Sequence, residues 1–176
     1  MLNRYLQAIE CCEEDLQGLN HVSSVFKIWI RLGVTILRYE DAVLDFLTAL
    51  ETKDMDAFAG VWAEDAVQDM PYSPEGFPKR VSGKKNILDH YAGWPENSGS
   101  ADFTSELIYY PMKNPEMIFV EFKGDVDIIP TGRKYLQTYG GLFYVEDGKI
   151  KLFREYYDPE LFSYAFGLNE SDSKSP

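Results

Sequence analysis

A chain of 176 residues, 45% hydrophobic and 26% charged, is long enough for one domain with a real core and too mixed for a fibrous or low-complexity protein. Its net charge of −12 at pH 7 argues against nucleic acid and anionic membrane as partners, because both need a basic footprint. Residues 1–39 hold four basic and four acidic side chains, so the whole acidic excess falls on the remainder.

Residues 1–38 read differently from the rest. Tyr5, Leu6, Ile9, Leu16 and Leu19 make a weak helical stripe, and Val25, Ile28, Trp29, Leu32, Ile36 and Leu37 a stronger one. This segment is either a helical extension that packs on the domain or on a partner subunit, or the product of a start codon placed too far upstream. The apolar run Val25–Leu37 is interrupted by Lys27 and Arg31 and is too short to span a bilayer. Glu10, Glu13, Glu14 and Asp15 stand where a signal peptide would need apolar residues. The adjacent Cys11 and Cys12 would close only a strained ring, which leaves no disulfide framework and points to the reducing cytoplasm. No cysteine or histidine spacing suits a metal, and there is no glycine-rich phosphate loop, so neither metal nor cofactor is expected. His21 is read as structural.

From Glu40 the patterning sharpens. Ala42, Val43, Phe46, Leu47 and Leu50 predict an amphipathic helix, broken and capped at Thr52-Lys53-Asp54. Met55, Phe58, Ala59 and Trp62 predict a second, ending near Asp65. Residues 66–72 suit a strand and 71–78 a loop. A third helix is expected over 84–94, with Ile87, Leu88 and Tyr91 on one side, then a loop over 95–100. Strands follow at 103–110, 117–128, 135–145 and 149–157, and glycines 124, 140 and 141 mark places where a sheet could bend or bulge. Helices first and strands in series afterwards predict an α+β domain over 39–168, its three helices packed on one face of a curved, mostly antiparallel sheet. Residues 169–176 are expected to be a disordered tail.

The last strand carries the most chemical information. Asp147-Gly148 is a two-residue hairpin signal, since a type I′ turn needs positive φ at both central positions. Beyond it, alternation puts Ile150, Leu152, Arg154 and Tyr156 on one face and Lys151, Phe153, Glu155 and Tyr157 on the other. A carboxylate between two rings that exclude water gains basicity and becomes useful for proton transfer near neutral pH. The alternative is an edge-strand glutamate in solvent.

The order of elements, with Ser82-Gly83-Lys84, Asp147-Gly148-Lys149-Ile150 and Arg154-Glu155-Tyr156-Tyr157-Asp158-Pro159, resembles the SnoaL-like branch of the nuclear transport factor two-like superfamily over about residues 40–166. That superfamily includes ketosteroid isomerases. Within it the chain is most similar to the phenazine-biosynthesis A/B group, through Gly83-Lys84-Lys85 with Asp89-His90, Phe119-Val120-Glu121, and the stretch from Glu146 to Glu155. The resemblance implies a cone of sheet around an apolar pocket and a homodimer through the outer sheet face, for which Leu142, Tyr144, Ile150, Leu152 and Tyr156 are the candidates. It implies acid–base catalysis by Glu155 and His90 with Tyr135 nearby, on a small apolar or aromatic metabolite. It also departs from the group: Trp94 stands where the group has a serine, and Phe58 or Ala59 where it has an arginine. The expected substrate-binding walls are Trp62, Tyr72, Tyr91, Trp94, Phe119, Tyr139, Phe143 and Tyr157, each with plain core packing as the alternative. Asp69 is a second, weaker place for a base. A non-catalytic ligand-binding or assembly protein is the other class of function that fits.

Overall fold

Alternation of buried and exposed side chains along paired strands organises the domain. In the computed structural model, which describes residues 39–168, helix α1 (39–52) is followed by α2 (Met55–Val61) and strands β1 (Trp62–Asp69) and β2 (Arg80–Ser82). Helices α3 (Lys84–Tyr91) and α4 (Trp94–Asn97) precede the strands β3 (Ser98–Asp102), β4 (Leu107–Pro111), β5 (Met117–Ile128), β6 (Arg133–Glu146) and β7 (Lys149–Tyr156). Helix α5 (Pro159–Ala165) ends the described part. The expectations for residues 1–38 and 169–176 lie outside the described residues.

The strands form one curved, unclosed sheet in the order β2-β1-β7-β6-β5-β3, with β4 also paired to β5. All pairings are antiparallel except β1 with β7. The β5–β6 ladder runs unbroken from Met117↔Tyr144 to Ile128↔Arg133, and Ile118, Val120, Phe122, Val126 and Ile128 face inward as a buried row. The glycines are not bulges: the ladder passes through Gly124 in register, and a Cβ there would sit 2.8 Å from a Tyr139 ring carbon and 2.9 Å from one of Phe103. They make room for aromatic rings. The sheet's irregularity in the last hairpin lies instead between Tyr144 and Val145, where Val145 pairs with Ile150 while Tyr144 pairs with Leu152. That extra residue reverses the phase, so Ile150 is fully buried and leaves the outer face on which strict alternation placed it. At the turn, Asp147 and Gly148 have φ of 51° and 71°, as the sequence required.

The helices close the inner face. The α1 stripe of Ala42, Val43, Phe46, Leu47 and Leu50 is buried as predicted, and Asp54 caps α2 by accepting from the Ala57 N–H at 2.8 Å. Several boundaries differ from expectation: the third helix ends at Tyr91 rather than at residue 94, the strand expected over 103–110 runs Leu107–Pro111, and two further differences have a clear cause. α2 stops at Val61 and the chain enters β1 directly, because a spacing of four between Trp62 and Ala66 satisfies both the helical and the strand period and the β7 ladder decides between them. The stretch expected as a loop over 95–100 is the helical turn α4 followed by edge strand β3, whose small polar residues are held by pairing with β5 rather than by propensity. Helix α5 was not expected. Asp158-Pro159 ends β7, but it also opens a helix: the Asp158 carboxylate accepts from the Glu160 N–H at 2.8 Å, with proline at the first position. The Thr131 hydroxyl donates to the Ala165 carbonyl at 2.6 Å and the Arg133 guanidinium to that of Tyr164 at 2.7 Å, which hold α5 against the sheet.

Candidate functional site

Between the inner sheet face and helices α1, α3, α4 and α5 lies a cavity of about 330 Å³. That is near the small end for ligand pockets, fitting a compact metabolite of a few rings. Its walls are mostly aromatic and aliphatic. Phe46, Leu47 and Leu50 come from α1, Phe122 and Tyr139 from the sheet, and Phe162 and Phe166 from α5 and its end.

Glu155 brings the ionisable group into this hollow. Its side chain is half-buried. Burial pushes its pKa up to about 7, opposed by a single hydrogen bond from Gln68. Among the described residues, no lysine or arginine is in hydrogen-bond contact with it. The carboxylate's partner is the Gln68 Nε2 amide, which donates to Glu155 Oε2 at 3.2 Å and to the Tyr91 hydroxyl at 2.7 Å. Gln68 is fully buried on β1, sharing the inward face with Ala66 and Met70. Its other amide atom, Oε1, has no hydrogen-bond partner among the described residues.

Four tyrosines stand around the carboxylate: Tyr91 from α3, Tyr135 and Tyr139 from β6, and Tyr157 just after β7. Burial raises the pKa of all four, and a charge on Glu155 adds to each shift, so they are neutral hydrogen-bond donors at any ordinary pH. The Tyr157 hydroxyl is hydrogen-bonded to that of Ser73 at 2.9 Å, and Tyr135 accepts from Gln137 at 3.3 Å. Phe58 packs under Tyr91 with ring centroids 4.8 Å apart.

His90 lines the cavity from α3, but it is exposed and stands at the mouth, edge-on to Tyr91 at 5.3 Å. Partial desolvation lowers its pKa, so the imidazole is neutral near pH 7. Trp94 also lines the cavity. Its indole N–H is spent on the Leu50 carbonyl at 2.9 Å, which leaves an apolar ring facing inward.

Residues 43–153 match the SnoaL-like domain family. The chain belongs to the SnoaL-like family. It is 35% identical over 122 residues to the uncharacterized protein YesE of Bacillus subtilis (strain 168), covering 69% of this chain and 82% of that one. Over 135 residues it is 27% identical to a PhzA/B-like protein of Pseudomonas aeruginosa, covering 77% of this chain and 94% of that one. Among solved structures it resembles a Bacillus subtilis protein provisionally assigned as an isomerase, at 30% identity and a TM-score of 0.70, covering 76% of this chain and 95% of that one. The α+β cone of the nuclear transport factor two-like superfamily is therefore this chain's fold.

Within this SnoaL-like cone, the site residues expected from sequence separate into two groups. Glu155, His90, Tyr135, Tyr91, Trp94, Tyr139 and Tyr157 all line the one cavity. Trp62, Tyr72, Phe119 and Phe143 do not. Trp62 and Phe143 are core, packed with Phe46 at centroid distances of 5.6 and 6.0 Å. Phe119 is on the outer face of β5 because Ile118 and Val120 take the inward phase. Tyr72 lies beyond the end of β1 and is 58% exposed, beside Tyr156. Asp69 is compensated rather than poised: Arg80 and Arg154 reach its two oxygens at 3.0 and 2.9 Å, away from the cavity. Sequence reading passed over Gln68, although its place between Ala66 and Met70 on an apolar strand face was a usable signal.

Proposed function

We propose that this SnoaL-like protein is an acid–base enzyme that works with its own side chains on a small, apolar, ring-bearing carbonyl compound. The observation that carries this reading is a carboxyl group with a pKa of about 7 in an apolar cavity, faced by neutral phenols. Such a carboxylate is basic enough to take a proton from a carbon next to a carbonyl, and poised hydroxyls can stabilise the oxygen as charge develops on it. Glu155 is the base and Tyr91, which shares the Gln68 amide with it, an oxygen-binding donor; Tyr135, Tyr139 and Tyr157 shape the same wall. His90 at the mouth serves as the second proton-transfer group for a ligand that reaches it. Isomerisation, dehydration and imine-forming condensation all use this machinery, in keeping with the relatives named as isomerase and PhzA/B-like.

The test is exchange of solvent deuterium into the carbons flanking the carbonyl of a bicyclic ketone such as 2-tetralone, followed by NMR. The rate should rise with pH through about 7 as Glu155 ionises. It should fall by about 100-fold or more in Glu155→Gln. Exchange at the same rate in that variant, or none above buffer in the native protein, overturns the assignment. A second reading, ligand binding without turnover, draws on Trp94, whose N–H is spent on the Leu50 carbonyl and whose ring offers the cavity no polar group. Stabilisation by the same ketones with no exchange would be its signature.

A further inference from the structure

The fully buried Gln68 lies behind the cavity wall, and one of its two amide atoms sits between two proton-carrying groups, Glu155 and Tyr91. We propose that the Gln68 carboxamide is a rotor that couples the protonation of Glu155 to the direction of the Tyr91 hydroxyl. The inference rests on the reading of Glu155 as the base.

The argument from geometry concerns what can occupy the inner position. With nitrogen inward, Nε2 gives one hydrogen to the Glu155 carboxylate at 3.2 Å and the other to the Tyr91 oxygen at 2.7 Å. Both acceptors are then filled, and the Tyr91 proton points away from Gln68. A protonated Glu155 cannot accept in the same way if its O–H is the group turned toward Gln68. Rotation of the amide by half a turn puts Oε1 inward, and a carbonyl oxygen has two lone pairs, one for the Glu155 O–H and one for the Tyr91 O–H. At the outer position Oε1 has no partner among the described residues, so rotation breaks no hydrogen bond there. The preference is therefore set at the inner position, by whether Glu155 carries its proton.

The consequence is a coupled pair of states. An ionised Glu155 holds nitrogen inward, and the Tyr91 O–H is free to meet a substrate oxygen. A proton on Oε2 in the ligand-free protein turns the amide and draws the Tyr91 O–H back to Gln68, so the phenol is offered only while the base is. Gln68 touches no reacting atom and is a positioning residue. The other titratable groups facing Glu155 are Tyr135 and Tyr139 from β6, Tyr157 after β7 and His90 from α3. Helices α1 and α5 and strand β5 present only apolar side chains to the cavity. None of these neighbours offers the carboxylate the hydrogen bond that Gln68 makes.

The test uses the isotope-labelled full chain without substrate, so failure of the ketone assay leaves it unaffected. NMR follows the Gln68 side-chain nitrogen, the Tyr91 Cζ and the Glu155 carboxyl carbon between about pH 5.5 and 8.5. All three should move through one shared midpoint. In the isosteric Glu155→Gln the Gln68 and Tyr91 signals should stay flat, and in Gln68→Met the Glu155 midpoint should rise by about one pH unit or more with Tyr91 uncoupled from it. A Gln68 nitrogen that ignores the titration of Glu155, or a Tyr91 carbon that does not move with it, overturns the proposal. The comparison of native protein with Glu155→Gln stands alone should Gln68→Met not fold.

Discussion

Glu155 sits among tyrosine rings with one amide to moderate its charge, so its proton is held more tightly in the folded chain than in the unfolded one. Its pKa rises from 4.5 to about 7, and the stabilisation this gives is complete below the unfolded value and lost as pH rises through the folded one. The cost by pH 8 is about 3 kcal/mol at most, from a shift of that size in a buried group. Glu155→Gln, which keeps the shape and removes the ionisation, should be more stable than the native chain at pH 8. That advantage should shrink steadily towards pH 5. Urea unfolding of both proteins across that range checks it, and a constant difference would mean that the carboxyl is not the group that titrates. At this scale the sequence was informative wherever alternation had a clear phase. Glu155 and Tyr157 follow it to the cavity, as do Tyr135 and Tyr139, and Phe153 follows it into the core. Phe119 misled because both it and its neighbours Ile118 and Val120 are apolar, and a run without alternation does not declare which side is inward.

At the scale of elements, the long β5–β6 hairpin and α1 were legible because each carries many turns of one period. What was lost is short or decided by distant contacts. β2 has three residues, β3 is held by its neighbour, and the change from α2 to β1 depends on a partner strand that comes near the end of the domain. Helix α5 had a readable start in Asp158-Pro159-Glu160, but its seven residues show too little periodicity to be separated from a strand end. It matters to the cavity, since Phe162 and Phe166 form part of the wall. Removing the cap by Asp158→Ala should destabilise α5 by about 1 kcal/mol. Hydrogen exchange should quicken over residues 159–165 while the β5–β6 amides stay protected. Unchanged exchange in α5 would show that its tertiary ties, not the cap, hold it.

For the whole molecule, the outer sheet face bears on assembly. Leu142, Tyr144, Leu152 and Tyr156 are half-buried there, and Ile108, Tyr110 and Leu136 are exposed on the same sheet at 54%, 43% and 57%. We propose that this face pairs two copies of the chain, with Ile150 removed from the set first expected. Sedimentation at micromolar concentration should give the mass of a dimer, and Leu142→Glu should shift it to monomer; a native monomer would end the proposal. Among the described residues no helix is long and apolar enough to cross a membrane.

The parallel pairing of β1 with β7 has a further effect. Gln68 and Glu155 are 87 residues apart in the chain and meet only through that pairing. So distant a contact closes late, after the local hairpins have formed, and it must bring an unwelcome carboxyl in with it. The hollow thus gains its chemistry only when the first strand docks beside the last. A molecule that fills it would press on Glu155 at the β7 side of that seam, so occupancy should be readable as slower opening along β1.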